Sequence, residues 1–394
     1  MSDSCMHKRF GDIATFSRGL TFAKGDVAED SSKRVLRSNN IDLQSHSLIF
    51  DEIAYLKEDF VIPNEKKLHK GDLFICMSNG STQHLGKVAY VEEDMDYAFG
   101  GFMGAIHPNK DIAFPKYAYY ACLSFEYRRF LASIFNGVNI NNLKWSDLSN
   151  FEIPIPSLDE QMHIVAELDL LTGIIDKQKQ QLKELDTLAQ SIFYNMFGNP
   201  VDNEMKWDES ELNRVCDVRD GTHGSPKYVE EGYPLVTSKN VVNGKISFEN
   251  ISYICQEDFD EISKRSNVDN GDIIMPMIGT IGKPTIVVKD RDFAIKNVAL
   301  IKFIQNSRVI NTFVRAIMST AAFDDYMRSK NKGGTQKFIS LGDIRKLVIP
   351  VPPLELQESF AKKIQFIESQ KQSINRSIAE SQKLFDYTMD KYFG

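Results

Sequence analysis

The sequence predicts an α+β chain made of two duplicated mixed α/β domains, separated by two long helices that pair as an antiparallel coiled coil. Three observations carry this: an internal repeat of about 200 residues, short strand-like runs between turns in each half, and a heptad pattern closing each half. The repeat is the most informative. Ile153-Pro154-Ile155-Pro156-Ser157-Leu158-Asp159-Glu160-Gln161 is echoed by Ile349-Pro350-Val351-Pro352-Pro353-Leu354-Glu355-Leu356-Gln357. Met196-Phe197-Gly198 answers Tyr392-Phe393-Gly394, Gly137 answers Gly333, and Asp147 answers Asp343 at the same offset. Earlier in each half Ser38-Asn39-Asn40-Ile41 matches Ser238-Lys239-Asn240-Val241, and Gly71-Asp72 matches Gly271-Asp272. Matches in the same order with small drifts in offset mean a duplicated domain with loop insertions, not a solenoid of short repeats.

Within each half, β-branched and aromatic runs such as Leu73–Cys76, Lys87–Val91 and Thr285–Val288 read as strands between Gly, Asn and Asp turns. Lys116–Phe135 and Val309–Met327 carry apolar residues at helical spacing. After the proline segments the pattern changes. Apolar residues fall at Ile164, Leu168, Leu171, Ile175, Leu182, Leu185, Ala189, Ile192 and Met196, in steps of four and three, with Gln178 at the skipped place. That is a coiled-coil seam, with two helices packed on their own domains as core as the alternative. The second copy runs Phe360, Ile364, Ile367, Ile374, Ile378, Phe385 and Tyr392, interrupted by Lys371 and Ser381. Prolines 154, 156, 350, 352 and 353 fix where the helices begin. Ser157 is a good N-cap with Glu160 three residues on, and Pro353 suits a first turn. A helix of roughly 40 residues spans about 60 Å. The expected division is 1–156, 157–198, 199–352 and 353–394.

A chain of 394 residues exceeds what one core usually serves, and 42% hydrophobic with 26% charged residues is ordinary for a folded globular protein. No apolar run approaches a membrane span and the polar start is no signal peptide, so a cytoplasmic location is expected. Five scattered cysteines without a C-x-x-C pair fit a reducing compartment. The formal charge of −7 is concentrated: residues 151–200 hold 3 Lys+Arg against 8 Asp+Glu, whereas 201–348 balance at 21 each. The two larger pieces are therefore free to carry basic faces despite the acidic total.

Catalytic motifs are missing. Gly80–Lys87 has five residues between its glycines, where a phosphate-binding loop needs four, and Val88 replaces the magnesium-binding hydroxyl. Phe99-Gly100-Gly101-Phe102-Met103-Gly104 reads as a tight turn. No G-x-S-x-G elbow appears, although a Ser/His/Asp triad stays open at the level of sequence. The recurring residues are instead a binding inventory. Arg37, Asn39 and Asn40, and their counterparts Lys239 and Asn240, follow short apolar runs where loops begin. Asn and Gln pair with adenine, and Arg or Lys with guanine, in the major groove. Thr335, Gln336 and Lys337 follow a double glycine, and Asn139 and Asn141 hold the parallel place in the first half. Lys87 and Lys283 each follow a glycine at matching positions, and His223 lies in Asp220-Gly221-Thr222-His223. Taken singly, each also reads as a solvated loop or a satisfied turn.

The ordered set Asp220-Gly221-Thr222-His223-Gly224-Ser225-Pro226-Lys227-Tyr228, Thr237–Val241, Gly271–Ile274, Gly279-Thr280-Ile281-Gly282, Gly333–Lys337 and Ile349–Leu354, followed by the heptad helix, resembles the specificity subunits of type I restriction-modification systems. The first half departs from it, with Ser17–Phe22 in place of Asp220–His223 and Ser78-Asn79-Gly80-Ser81 in place of the Gly279 turn. The resemblance covers the chain twice and adds Asn79 and Lys227 to the DNA-binding candidates. It implies two target-recognition domains reading a split double-stranded DNA sequence. It implies helices that set the spacer and recruit methyltransferase subunits, expected in two copies, with or without restriction subunits. It implies a non-catalytic chain without cofactor, the methyl donor, ATP and magnesium being bound by partners. The rivals are a self-sufficient methyltransferase or nuclease, and a coiled-coil scaffold that binds only protein.

Overall fold

The computed structural model describes residues 6–135, 142–242, 244–277, 284–330 and 339–394. It divides into two compact units, Met1–Gln178 with Arg376–Gly394, and Lys179–Asn375. Each long helix is thus shared: its first part belongs to one unit and its second part to the other.

In the first unit, a four-stranded antiparallel sheet runs in the order Ala14–Arg18, Met103–Pro108, Leu73–Cys76, Val88–Tyr90. A second sheet has the order Val27–Ala28, Ala54–Leu56, Lys33–Leu36, Tyr97–Phe99, its last pair parallel. Met6–Arg9 pairs with Glu152–Ile155, tying the start of the unit to its proline segment. The second unit repeats this topology. Asp217–Asp220, Val298–Lys302, Ile273–Pro276 and Thr285–Ile286 form one sheet. Tyr228–Val229, Ser252–Ile254, Tyr233–Val236 and Ala294–Ile295 form the other, again ending on a parallel pair. Helix Gln256–Ser266 is an addition of the second unit, whereas the pairing of Val241–Val242 with Lys245–Ile246 extends a contact that the first unit makes as the single bridge Ile41–Leu48.

The helical stretches expected after the sheets each break in two, for one reason used twice. Pro115–Ala121 gives way to Phe125–Phe135, and Asn311–Met318 to Ala321–Lys330. At the first break the Ser124 hydroxyl donates back to Ala121 O (2.8 Å) and accepts Tyr127 N (3.1 Å). Thr320 does the same with Ile317 O (2.8 Å) and Phe323 N (3.1 Å). A short hydroxyl side chain competes with the backbone ladder and caps the next helix.

Leu158–Phe197 and Leu354–Phe393 are each 40 residues long. Ser157 accepts Glu160 N at its side chain (3.3 Å), as the capping pattern requires. Pro353 stands one place outside the helix, its carbonyl taking the Leu356 amide (3.0 Å). The helices pair antiparallel in each unit. In the first, Gln178 Nε2 donates to Ser377 Oγ (2.7 Å) and Tyr392 Oη to Glu167 Oε2 (2.9 Å). In the second, Lys371 Nζ meets Asp186 Oδ1 (2.8 Å), and the rings of Phe193 and Phe360 pack edge to face. Lys371, which interrupts the apolar seam, is therefore a cross-helix ion pair.

Seam burial is uneven. Ile164, Leu168, Leu171 and Ile175, and Phe360, Ile364 and Ile367, are buried. Leu182, Leu185 and Ile192, and Ile374, Ile378 and Phe385, are half-buried. Ile164 and Leu168, and Phe360, Ile364 and Ile367, belong to the globular cores of their units, and Leu185, Ile192 and Phe385 pack against those cores from the edge. The helix ends reach further in: Phe197 packs on Phe313 (4.7 Å between centroids) and Phe393 on Tyr117 (4.9 Å).

Candidate nucleic-acid interface

Three recognition candidates of the first half, Arg37, Asn39 and Asn79, gather at one end of the four-stranded sheet. Here Gly19 N donates to Met103 O (3.1 Å) and Leu20 N to Phe99 O (2.7 Å), pressing two backbones together. A Cβ at Gly19 would overlap the Gly100 carbonyl oxygen, which is why glycine stands there. The second unit reproduces the contact: Gly221 N bonds Val298 O (3.0 Å) and Thr222 N bonds Ile295 O (3.0 Å), and a Cβ at Gly221 would strike Ile295 O. The duplicated glycine is thus a backbone crossing.

Around this crossing in the first unit lies a cleft of about 810 Å³ lined by Leu20, Thr21, Phe22, Arg37, Ser38, Asn39, Ser78, Asn79, Gly80 and Gly100–Met103. Among the described residues of that lining Arg37 is the sole charged one, and no carboxylate shares it. Arg37 is exposed. Asn39 is exposed too, its Nδ2 donating to the Glu52 carbonyl (3.1 Å) and carboxylate (3.3 Å). Asn79 Nδ2 donates to Ser38 Oγ (3.1 Å) while its Oδ1 takes the Ser81 amide (3.0 Å). Arg37, Asn39 and Asn79, separated by some forty residues of sequence, are therefore brought together.

Two candidates have other work. Asn40 is buried: its Oδ1 accepts Arg37 N (2.8 Å) and its Nδ2 donates to Ile49 O (2.9 Å) and Glu52 O (3.1 Å). Asn240 repeats this, accepting Thr237 N (3.0 Å) and Thr237 Oγ1 (2.9 Å). Each caps a short 3₁₀ turn, Ser38–Asn40 or Ser238–Asn240, so neither amide offers its edge to a base. Lys87 is also corrected. It is buried, its Nζ donates to Ile41 O (2.8 Å), and burial lowers its pKa, so it presents no surface cation.

In the second unit, Lys227 and Lys239 are exposed, and Lys239 sits on the turn matching that of Asn39. His223 is exposed but engaged: Nε2 lies 2.8 Å from Asp220 Oδ2 and Nδ1 2.8 Å from Asn297 Oδ1. The Asn297 hydrogen bond, then that of Asp220, raises its pKa above the ordinary histidine value. Arg265 also pairs with Asp220. Lys296, whose Nζ is 3.5 Å from Tyr228 Oη, and Asn297, held at φ +56°, flank the crossing; sequence reasoning named neither. Asn139, Asn141, Lys283, Thr335, Gln336 and Lys337 lie outside the described residues.

A Ser/His/Asp chain does exist: Ser17 Oγ is 2.9 Å from His107 Nε2, and His107 Nδ1 is 2.6 Å from Asp72 Oδ1. Its counterpart argues against catalysis. Asp272, matching Asp72, meets Lys302 Nζ (2.6 Å) at the position of His107, and both carboxylates accept an amide three residues back (2.8 Å). A pairing that tolerates lysine for histidine neutralises a buried carboxylate and relays no proton. Ser17 is moreover inside a strand, opposite Ala105, not on an elbow. No cluster of His, Cys, Asp and Glu suited to a metal occurs among the described residues, and among them no helix is long and apolar enough to cross a membrane.

A duplicated α+β unit, two long paired helices and, in the first copy, a cleft with no carboxylate among its described lining residues suit a recognition chain. The chain belongs to the family described as the Type I restriction modification DNA specificity domain, whose model matches residues 3–187 and again 204–381. It is similar to the type I restriction enzyme EcoKI specificity subunit of Escherichia coli strain K12, with 23% identity over 97% of this chain and 86% of that one. The StySPI specificity subunit of Salmonella potsdam is 32% identical over 45% of this chain and 38% of its own length. The fold is that of the type I restriction-modification S subunit from M. genitalium (TM-score 0.57, 14% identity, 99% and 96% of the two chains). A chain from a structure of type I restriction-modification complex assembly and conformational transition shares it (TM-score 0.58, 20% identity, 98% and 97%).

Proposed function

We propose that this chain is the non-catalytic specificity subunit of a type I restriction-modification complex, each unit reading one part of a split DNA target. The observation that carries the reading is the first unit's cleft at the duplicated glycine crossing, cationic through Arg37 and with no carboxylate among its described lining residues. Phosphate contacts need local positive charge, and base edges need amides and guanidinium groups on loops. Arg37, Asn39, Asn79, Lys227 and Lys239 supply these; Asn40, Asn240 and Lys87 hold the loops from beneath. The methyl donor, ATP and magnesium are bound by other subunits.

The helices carry the partners. Exposed apolar residues recur at matching places on the two helices: Leu170 answers Phe366, and Leu188 answers Leu384. Large apolar side chains repeated on a solvent face suit docking of a protein twice over. Two copies of a methyltransferase subunit fit that duplication, and the acidic segment 151–200 favours protein over DNA as its neighbour.

The test is adenine-methylation mapping of DNA from cells carrying this chain with its methyltransferase partner, against cells lacking this chain. A two-part motif with a fixed gap, present only with the chain, is expected. Methylation by a demonstrably active methyltransferase that ignores the chain's absence would sink the reading.

A further inference from the structure

The two units share the backbone crossing but differ in what they hang on it. Between Phe99 and Met103 the first unit has three residues, Gly100-Gly101-Phe102; between Ile295 and Val298 the second has two, Lys296-Asn297. The shorter turn supports the polar pair of Asn297 and His223. The longer one presents a bare aromatic ring: Phe102 is 72% exposed on the lining of the cleft. Its backbone is not loose. The Phe102 carbonyl accepts Met77 N (2.9 Å) and Ser78 N (3.0 Å), Gly100 N donates to Leu36 O (2.9 Å), and Met103 N donates to Gly100 O (2.8 Å). A ring held out to water on a pinned turn, on the lining of the same cleft as Arg37, is a contact awaiting its partner.

We propose that Phe102 is a specificity-determining residue of the first unit that reads a thymine by packing on its C5-methyl group. This rests on the DNA-recognition reading above. A phenyl ring has no hydrogen bond to offer, and the apolar feature a paired base exposes in the major groove is the thymine methyl. The counterpart in the second unit, His223 with Asn297, is polar, so the two half-targets differ in chemistry at this place.

The experiment uses the full chain and a duplex carrying its mapped target, in which each thymine in turn is replaced by deoxyuridine, removing the methyl alone. Wild-type binding should fall about fourfold at one thymine, the equivalent of one buried methyl. Phe102→Ala should bind the unmodified duplex correspondingly more weakly and be indifferent to deoxyuridine there, while Phe102→Leu keeps part of the discrimination. The exposed ring supports little packing, so both variants should match wild type in thermal unfolding. Phe102→Ala that still senses the same deoxyuridine overturns the assignment and leaves DNA recognition standing. So does a rise in 2-aminopurine fluorescence dependent on Phe102, which would mark a wedge between unstacked bases. A wild-type chain that does not distinguish the mapped duplex from random DNA overturns both.

Discussion

Both ring nitrogens of His223 face acceptors, Asp220 Oδ2 and Asn297 Oδ1, an arrangement that the imidazolium satisfies fully and the neutral ring does not. Its pKa is raised, so the stability it adds is fully present below the unfolded value near 6.5 and is lost as pH rises through the folded value. The site is exposed and screened, so the effect on folding is at most about 1 kcal/mol. An NMR titration of His223 should show the upward shift, and Asn297→Ala should return it toward the ordinary value. DNA affinity should fall as the imidazolium charge is lost with rising pH, a dependence that His223→Gln abolishes. At this scale the sequence was legible in residue type but not in orientation. Asn39 and Asn40 are neighbours with the same side chain, yet one reaches the cleft and the other is buried against Ile49 and Glu52. Nothing local in composition distinguishes them; the 3₁₀ turn does. Lys87 followed a glycine as a loop cation would, but strand Val88–Tyr90 begins immediately after it and draws the residue under the sheet.

Between helix and globular core, one glutamine does the same task twice. Gln161 Oε1 accepts Phe114 N (2.8 Å) and its Nε2 donates to Ile112 O (3.0 Å) and Pro156 O (2.9 Å). Gln357 accepts Ile310 N (3.0 Å) and donates to Arg308 O (2.9 Å) and Pro352 O (2.8 Å). Both are wholly buried. Gln161→Ala or Gln357→Ala strands an amide and two carbonyls, and should cost about 3 kcal/mol in urea unfolding. Gln178 is the opposite case. It fills an apolar place in the seam, and its buried Oε1 has no hydrogen-bond partner among the described residues while Nε2 bonds Ser377. Gln178→Leu should leave the melting temperature unchanged or raise it, at the expense of a polar register pin. The seam was readable because a heptad needs no tertiary knowledge. Phe193, Phe197, Met389 and Phe393 were not, because they enter the globular cores, Phe193 and Phe197 touching Phe360 of the other helix on the way, and a heptad does not say which residues do both.

Over the whole molecule, the duplication was visible because repeated chemistry kept repeated structure: Gly71 and Gly271 both take positive φ, and Asp72 and Asp272 both close the turn beside them. What the sequence hid is that each long helix serves both units, since periodicity says which face is apolar and not whose core it enters. That sharing makes the helices the element on which the spacing of the two half-targets should depend. Inserting one heptad after Gln178 in the first helix, and one between Asn375 and Arg376 in the second, preserves the seam and the antiparallel match in both units. Seven residues lengthen a helix by about 10.5 Å, and a base pair rises about 3.4 Å, so the gap in the methylated motif should grow by up to about three base pairs with both half-targets unchanged. Insertion into one helix alone throws Lys371 and Asp186, or Gln178 and Ser377, out of register. That variant should lose methylation at every gap length. An unchanged gap in the doubly extended chain would move the spacing function away from the helices and onto the recognition units themselves.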